Sequence, residues 1–138
     1  MTRKEQREAT FELLFEREFR RDESAEEIFA LSTLNREIDP IKEKYIRNTF
    51  FGVVAHESEI DEMISSASNG WKVERLSNAT RVAMRLCVYE MVYCDDIPYS
   101  VSINEAVELV KKFDDPKARA FTNGVLNKIK ESLEQKND

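Results

Sequence analysis

A segment that is apolar on all sides constrains this fold more than any other part of the sequence. Every residue from Val82 to Cys94 is apolar except Arg85 and Glu90. A helix that is apolar all round must be enclosed by other elements, so this segment predicts the central helix of a bundle. The stretch from Asp95 to Pro98 should end that helix, because the residue before a proline avoids helical geometry.

Two amphipathic helices are predicted to follow the central one. Ser102 and Glu105 have the spacing of a capping box at the start of the first. Asp115 and Pro116 should begin the second, as an N-cap followed by proline at the first helical position. In both segments the apolar residues keep the three-four spacing of one helix face. They are Ile103, Ala106, Val107, Val110 and Phe113 in the first helix, and Ala118, Phe121, Val125, Ile129 and Leu133 in the second.

Two helices are predicted before residue 39. The first spans about residues 3–20, and the second begins at Ser24, which has the spacing of a capping box with Glu27. Both helices contain apolar residues that we expect to be buried. They are Phe11, Leu14, Phe15 and Phe19 in the first helix, and Ile28, Phe29 and Leu31 in the second.

A long third element is predicted from Asp39-Pro40 to Asn69-Gly70, a pair suited to a left-handed C-cap. Its pattern fits one bent helix or two short helices equally well. Either Ser77 or Asn78 can then cap the central helix. The apolar stripe of the third element consists of Ile41, Tyr45, Thr49, Val53, His56, Ile60 and Ile64.

The composition of the 138 residues favours helices over strands. Only 3 glycines and 3 prolines are present, too few turn residues for a many-stranded β protein. The hydrophobic content of 41% allows a core, and the charged content of 35% predicts a polar, helix-rich surface. We therefore expect an all-α bundle of about seven helices, folded as a single domain over residues 1–138.

The sequence also predicts the compartment of the protein. No apolar run approaches the ~20 residues that a membrane-spanning helix needs, and the charged start does not resemble a signal peptide. Cys87 and Cys94 lie two helical turns apart, too far for a disulfide. We expect both to be reduced thiols in a cytoplasmic protein.

No pattern in the sequence indicates catalysis or a metal site. One histidine, His56, and two cysteines on different helical turns do not make a zinc site. There is no glycine-rich phosphate loop and no nucleophile elbow. Arg85 and Glu90 are too far apart along one helix to pair, so each needs a partner elsewhere in the bundle. We predict no enzymatic activity and no cofactor.

Positive charges cluster at the N-terminus, although the net charge of −6 opposes indiscriminate binding of nucleic acid. Arg3, Lys4 and Arg7 are spaced so that one helix face can present three cations. Cations at this end oppose the helix dipole, so an anion bound there would explain them. The alternative is a charged helix end that is simply solvated.

A second positive cluster surrounds Phe113. Residues 111–119 hold four cations and two acids. Unpaired RNA bases are recognised by aromatic residues that stack on them, while cations hold the phosphates. Phe113 and Lys117 are therefore candidates for contact with bases. The alternative is that Phe113 completes the apolar stripe of its helix in the core.

A series of short motifs runs through nearly the whole chain. They are Arg7 and Ala9, Leu14-Phe15, Gly52-Val53, Trp71, Arg85, Tyr89-Glu90, Ile97-Pro98-Tyr99, Val101, Ile103 to Leu109, and Phe121 with Asn123 to Leu126. In this order and spacing the motifs resemble the NusB family of bacterial transcription antitermination factors. One departure is Asp114, since a glycine often follows the phenylalanine in that family.

The resemblance implies a fold, a ligand and partners. The NusB-type fold consists of two packed three-helix bundles. Family members bind boxA-type single-stranded RNA in nascent transcripts, notably ribosomal RNA, as a heterodimer with NusE, a small-subunit ribosomal protein. On the transcribing RNA polymerase, this assembly suppresses termination.

The resemblance also implies roles for particular residues. The arginine-rich start of family members binds RNA, which implies the same role for Arg3, Lys4 and Arg7. Asn123, in the F-NGVL motif, is a further RNA-binding candidate, whose amide would read a base edge or contact a backbone group. Gly124 is expected to let two helices approach closely, because it lacks a Cβ.

Two other functions stay open at this point. One is a helical adaptor that binds only proteins. The other is a stand-alone relative of the N-terminal domain of cytosine-5 RNA methyltransferases, where NusB-like domains also occur. The glycine-rich βαβ cofactor domain of such an enzyme is missing from the sequence. Whether the chain forms a homodimer is also open.

Overall fold

The computed structural model describes residues 1–136, which contain seven α-helices, one 3-10 helix and no strand. The prediction of an all-α chain with about seven helices is confirmed. None of the described helices is long and apolar enough to cross a membrane. The chain divides into two compact units, of which the first ends at Ala55 and the second begins at His56. The first unit contains α1 (Arg3–Glu18), α2 (Ala25–Asn35) and α3 (Lys44–Ala55), and the second contains α4 (Glu57–Ala67), the 3-10 helix (Val73–Arg75), α5 (Asn78–Tyr93), α6 (Tyr99–Phe113) and α7 (Ala118–Lys136).

The core of the first unit combines aromatic and aliphatic side chains. The ring centroid of Phe29 lies 5.2 Å from that of Phe50 and 4.9 Å from that of Phe51. Burial of one such side chain contributes roughly 1.5–3 kcal/mol, so packing stabilises these short helices more than intrinsic propensity does. The buried apolar side chains are Phe11, Leu13 and Leu14 from α1, Ile28 and Phe29 from α2, and Ile46, Phe50 and Val53 from α3.

Phe19 and Leu31, which were predicted to be buried, are exposed, and so is Ile41 of the third apolar stripe. Phe19 follows the last residue of α1 and is 66% exposed. Leu31 lies outside the face of α2 that buries Ile28 and its neighbours. Ile41 lies in a turn before α3, where Asp39 Oδ1 accepts a hydrogen bond from its amide at 2.9 Å. In each case the apolar stripe was extended beyond the end, or beyond the edge, of the buried helix face.

The third predicted element is two helices rather than one. α3 begins at Lys44 instead of Asp39, because Asp39 forms the preceding turn. It ends at Ala55, and α4 begins after His56, whose φ of −110° and ψ of 15° are not helical. The left-handed end after α4 is confirmed, with a φ of 50° at Asn69 and 89° at Gly70.

The predicted central helix is α5, the most buried helix of the second unit. Its N-cap is Ser77, whose Oγ accepts a hydrogen bond from the Thr80 amide at 3.2 Å. Nearly all residues from Ala79 to Met91 are buried, and they pack with apolar side chains of α4, α6 and α7. The prediction from the all-round apolar pattern is confirmed.

Arg85 has its partners on α4, as the spacing within α5 required. Its Nε donates to Asp61 Oδ1 at 2.7 Å, and its Nη2 donates to Asp61 Oδ2 at 2.9 Å. The same Nη2 lies 3.1 Å from Glu57 Oε1. Because Arg85 is buried, these two carboxylates compensate a charge that would otherwise be costly to desolvate.

Glu90 is completely buried and has a partner on α6. Its Oε1 accepts a hydrogen bond from the Ser102 hydroxyl at 2.7 Å. The predicted capping box of Ser102 and Glu105 is therefore wrong. α6 begins at Tyr99 with Pro98 as its N-cap, so that Ser102 lies inside the helix and faces α5.

Candidate nucleic-acid interface

α1 begins with a complete capping box that the sequence analysis did not identify. Thr2 Oγ1 accepts a hydrogen bond from the Glu5 amide at 3.1 Å, and Glu5 Oε1 accepts one from the Thr2 amide at 2.8 Å. The backbone hydrogen bond from Thr2, followed by that from its side chain, lowers the pKa of Glu5. The signal was present as threonine with glutamate three residues later. Glu5 therefore acts as a cap within the cationic N-terminus.

The three N-terminal cations do not share one exposed face. Arg3 and Lys4 are exposed, whereas Arg7 is only 5% exposed. The guanidinium carbon of Arg7 lies 5.7 Å from the ring centroid of Tyr45 in α3. The prediction that one face presents all three cations to solvent is therefore wrong, because Arg7 lies against α3. An RNA contact by each of the three residues stays a prediction.

The start of α1 packs against the start of α3. The N-terminal amine of Met1 lies 3.4 Å from Glu43 Oε1, and Gln6 Nε2 donates to Glu43 Oε2 at 2.6 Å. The guanidinium carbon of Arg3 lies 4.5 Å from the ring centroid of Tyr45, within the range of a cation–π contact. Glu43 is buried, so these contacts fix the position of the first turn of α1.

Residues 42–47 adjoin this surface but were missed as site residues. Lys42, Lys44 and Arg47 are all exposed, and the first turn of α3 contains no acid. Three cations within six residues were a visible signal. Asp39 and Glu43 obscured it in the sequence, since neither the turn formed by Asp39 nor the burial of Glu43 could be foreseen.

Phe113 is the last residue of α6 and is 39% exposed, so it does not close the core. Lys112 Nζ lies 5.3 Å from its ring centroid. Lys111 and Lys112 occupy the last turn, where cations complement the helix dipole. Lys117 is exposed in the following turn, and its amide donates to Asp115 Oδ1 at 2.9 Å. Lys112 and the ring of Phe113 thus lie together at the exposed end of α6.

Asp114 holds the turn between α6 and α7. Its Oδ2 accepts hydrogen bonds from Thr80 Oγ1 at 2.6 Å and from the Ser77 hydroxyl, and its Oδ1 accepts one from the Asp115 amide at 2.6 Å. Burial raises the pKa of Asp114, but the hydrogen bonds from Ser77, Thr80 and Asp115 together hold it below its ordinary value. This turn delays the start of α7 to Ala118, later than the predicted Asp115-Pro116 start.

Asn123 and Gly124 lie on an exposed side of α7. The Nδ2 of Asn127 donates to the Asn123 carbonyl at 2.8 Å and to Asn123 Oδ1 at 3.2 Å. A Cβ added at Gly124 would meet no described atom within 4 Å. The prediction that Gly124 lets two helices approach closely is therefore wrong, because that side of the helix is open.

An aromatic pair lies near the start of α7. Trp71 is 56% exposed, and its ring is nearly perpendicular to that of Phe121, with 6.3 Å between the centroids. A cation lies nearby, since Lys128 Nζ donates to Asn69 Oδ1 at 3.1 Å. In the sequence, Trp71 and Phe121 are recognisable only as motif residues, and nothing there indicates a role for either.

His56 lies in the break between α3 and α4. Its ring stacks on that of Tyr93, with 4.2 Å between centroids, and its Nδ1 lies 3.6 Å from Glu59 Oε2. Cys87 is buried and Cys94 is half-buried, and the two are not joined in a disulfide. Within residues 1–136, no group of three or more histidine, cysteine or acidic side chains could hold a metal ion.

The fold and the exposed cations describe an all-helical protein with surfaces suited to a polyanionic ligand. The family model described as the NusB family matches residues 4–131. Because this match spans most of the sequence, the chain belongs to the NusB family.

Individual relatives agree with this assignment. The transcription antitermination protein NusB of Geobacillus kaustophilus is 42% identical over 98% of this chain and 100% of its own length. The structure of T. maritima NusB has a TM-score of 0.85 at 36% identity, covering 94% of this chain and 90% of that one. A structure of antitermination factors NusB and NusE in complex with dsRNA has a TM-score of 0.83 at 30% identity, covering 94% and 96%.

Proposed function

We propose that this chain is a transcription antitermination factor. It binds boxA-type single-stranded RNA in nascent ribosomal RNA transcripts together with NusE, and so suppresses termination by RNA polymerase. The observation that carries this proposal is similarity over the full length of a relative named as an antitermination protein. A related structure of NusB and NusE in complex with dsRNA supports NusE and RNA as the two classes of partner.

The RNA-binding roles are assigned to two groups of residues in one functional domain, residues 1–138. In the first unit, Arg3 and Lys4 contact phosphates from the start of α1. Arg7, which is buried in the next turn of the helix, supports them. In the second unit, Phe113 and Lys117 lie near the bases, and Asn123 offers an amide to a base edge. The exposure of all but Arg7 supports these roles.

Both groups offer the same chemistry to one strand of RNA. Arg3 lies over the ring of Tyr45, and Lys112 lies over the ring of Phe113. Aromatic rings stack on unpaired bases while nearby cations neutralise phosphates. We expect each group to contact RNA in this way.

Charge complementarity supports NusE as the protein partner. The net charge of −6 coexists with local cationic clusters, so the rest of the chain has an excess of acidic residues. An acidic surface favours association with a basic ribosomal protein, mainly by accelerating encounter. The RNA and the protein partner can therefore use different faces of the same chain.

The proposal includes no enzymatic activity and no cofactor, and places the protein in the cytoplasm. The relative that matches over its full length is named as an antitermination protein and not as an RNA methyltransferase. A helical adaptor that binds only proteins is the remaining alternative. RNA affinity separates that adaptor from an antitermination factor.

Fluorescence anisotropy with a labelled, A/U-rich single strand tests RNA binding. The strand is titrated with the chain alone and with the chain plus NusE, and a duplex of equal length reports on strandedness. We expect binding of the single strand that tightens when NusE is present. No RNA affinity in either condition would overturn the proposal and leave the adaptor.

A transcription assay tests the biological activity. A bacterial extract is depleted of its own NusB relative and given a template with boxA upstream of a terminator. We expect added chain to restore read-through, and a template with scrambled boxA to show no such effect. Read-through that is insensitive to the added chain would contradict antitermination.

A further inference from the structure

We propose that the start of α3 forms a second part of the RNA-binding surface, next to the start of α1. In this part, Lys42, Lys44 and Arg47 bind phosphates. Tyr45 is its positioning residue, because it holds Arg3 in place. This inference rests on the proposed function and adds a group of residues that the N-terminal cluster does not include.

The first observation is that two helices begin side by side. α1 begins at Arg3 and α3 at Lys44. Glu43, directly before α3, is bound by the Met1 amine and by Gln6 from α1. The first turn of each helix carries the positive end of a helix dipole. Their proximity produces a positive potential that neither helix has alone.

The second observation is that the cations here strengthen this potential instead of offsetting it. Lys44 and Arg47 are three residues apart and therefore neighbours on the surface of α3. Cations at a helix N-terminus are unfavourable unless an anion is recruited. Within residues 1–136, none of Lys42, Lys44 and Arg47 forms an ion pair; Arg47 only approaches the Phe51 ring, at 5.7 Å.

The acids of this region are already engaged in local structure. Glu5 serves the cap of α1, and Asp39 accepts hydrogen bonds from the amides of Ile41 and Lys42. Glu43 is buried and bound to α1. These acids therefore shape the surface from within, and the side chains that project from it at residues 42, 44 and 47 are cationic.

Tyr45 of α3 contacts the two arginines at the start of α1. Its half-buried ring lies 4.5 Å from the Arg3 guanidinium and 5.7 Å from that of Arg7. A cation–π contact restricts the exposed Arg3 side chain without neutralising it. The contact thus holds Arg3 at the exposed start of α1, where it can bind a phosphate.

The ligand of such a surface is a chain of phosphates. RNA is favoured over an acidic peptide because the surface continues that of Arg3 and Lys4, which the proposed function assigns to RNA. Each phosphate contact with a single strand contributes roughly 0.7 to the slope of log affinity against log salt. A peptide of glutamates serves as the competing ligand.

The double variant Lys44→Glu with Arg47→Glu tests this inference by anisotropy over a series of salt concentrations. We expect at least a roughly 10-fold loss of affinity for the A/U-rich strand, and a slope that is shallower by about 1.4 for two lost contacts. Lys130→Glu with Lys136→Glu, which makes the same charge change on α7, is the matched control. Circular dichroism verifies that each variant is folded.

The outcomes separate this inference from the proposed function. If the α3 variant binds like the control while Arg3→Glu with Lys4→Glu loses affinity, the start of α3 does not bind RNA. The proposed function then stands. If the glutamate peptide competes as well as RNA, the surface is a general anion site and the assignment to RNA is overturned. If the wild-type chain binds no RNA, both proposals fail.

Tyr45 has its own test, since its role is to position another residue. Tyr45→Leu should weaken RNA binding roughly 2- to 5-fold by releasing Arg3, whereas Tyr45→Phe keeps the ring and should bind like wild type. In the background of Arg3→Ala, Tyr45→Leu should have no further effect on affinity. An equal loss with or without Arg3 would overturn the positioning role.

Discussion

Asp114, which follows the last residue of α6, accepts a hydrogen bond from the hydroxyl of Thr80 in the first turn of α5 at 2.6 Å. Ser77, the N-cap of α5, donates to the same carboxylate oxygen. One carboxylate thus joins the end of one helix to the start of another. Asp114 therefore has a structural role in this turn.

Replacement of Asp114 should destabilise the second unit. Asp114→Ala removes a charged acceptor from two hydroxyl groups, and we expect the free energy of unfolding to fall by about 1–2 kcal/mol. Urea denaturation followed by circular dichroism measures the change. Asp96→Ala, at an exposed position in the turn after α5, is the control and should change little.

The contribution of Asp114 should also depend on pH. Its pKa is lowered in the folded state, so its hydrogen bonds stabilise the fold above the ordinary pKa of aspartate and are lost as pH falls through the lowered pKa. The difference in unfolding free energy between wild type and Asp114→Asn should be constant above about pH 5 and shrink below about pH 4. A difference that grows with acidity would contradict the assignment.

Arg85 is predicted to be the costliest buried charge to remove. Arg85→Met leaves Asp61 and Glu57 without their shared cation, and a broken buried ion pair costs about 3–5 kcal/mol. Arg36→Met breaks a surface contact with Glu16 at 3.0 Å and should cost less than about 1 kcal/mol. Thermal and urea unfolding of both variants give the comparison. If Arg85→Met lowers the free energy of unfolding as little as Arg36→Met does, the Arg85 contacts are not important for stability.

Gly124 should be replaceable by alanine with a gain in stability. It lies inside α7, where glycine costs about 1 kcal/mol relative to alanine, and the added Cβ meets no neighbour. Gly70→Ala is the opposite case, since its φ of 89° strains any residue with a Cβ. We expect unfolding free energies that move in opposite directions. A destabilised Gly124→Ala variant would reveal a constraint on α7 that its open side does not explain.

Local patterns predicted the helices well, because the all-round apolar pattern of α5 and the Ser77 cap depend on neighbouring residues alone. They failed where a partner is distant in sequence. Ser102 has the spacing of a cap, yet its hydroxyl donates to Glu90 because α6 packs on α5. Phe19 belongs to an apolar stripe, yet α1 ends before it.

The candidate site shows the same limit. Exposed Arg3 and Lys4 follow from composition and position, but the burial of Arg7 depends on where α3 lies. The contact between Arg3 and Tyr45 joins residues 42 positions apart in the sequence. Spacing within one helix carries no information about such a neighbour, so the α3 part of the surface could be recognised only in the fold.

The most direct measurement of the central claim is the RNA affinity of Arg3→Glu with Lys4→Glu, set beside its thermal stability. Acidic residues at a helix N-terminus favour the helix dipole, so the melting temperature should stay the same or rise. We predict that affinity for the boxA-type strand nevertheless falls, with a salt slope shallower by about 1.4 than that of wild type. Unchanged affinity and slope in a folded variant would contradict the claim that this end of α1 holds the transcript.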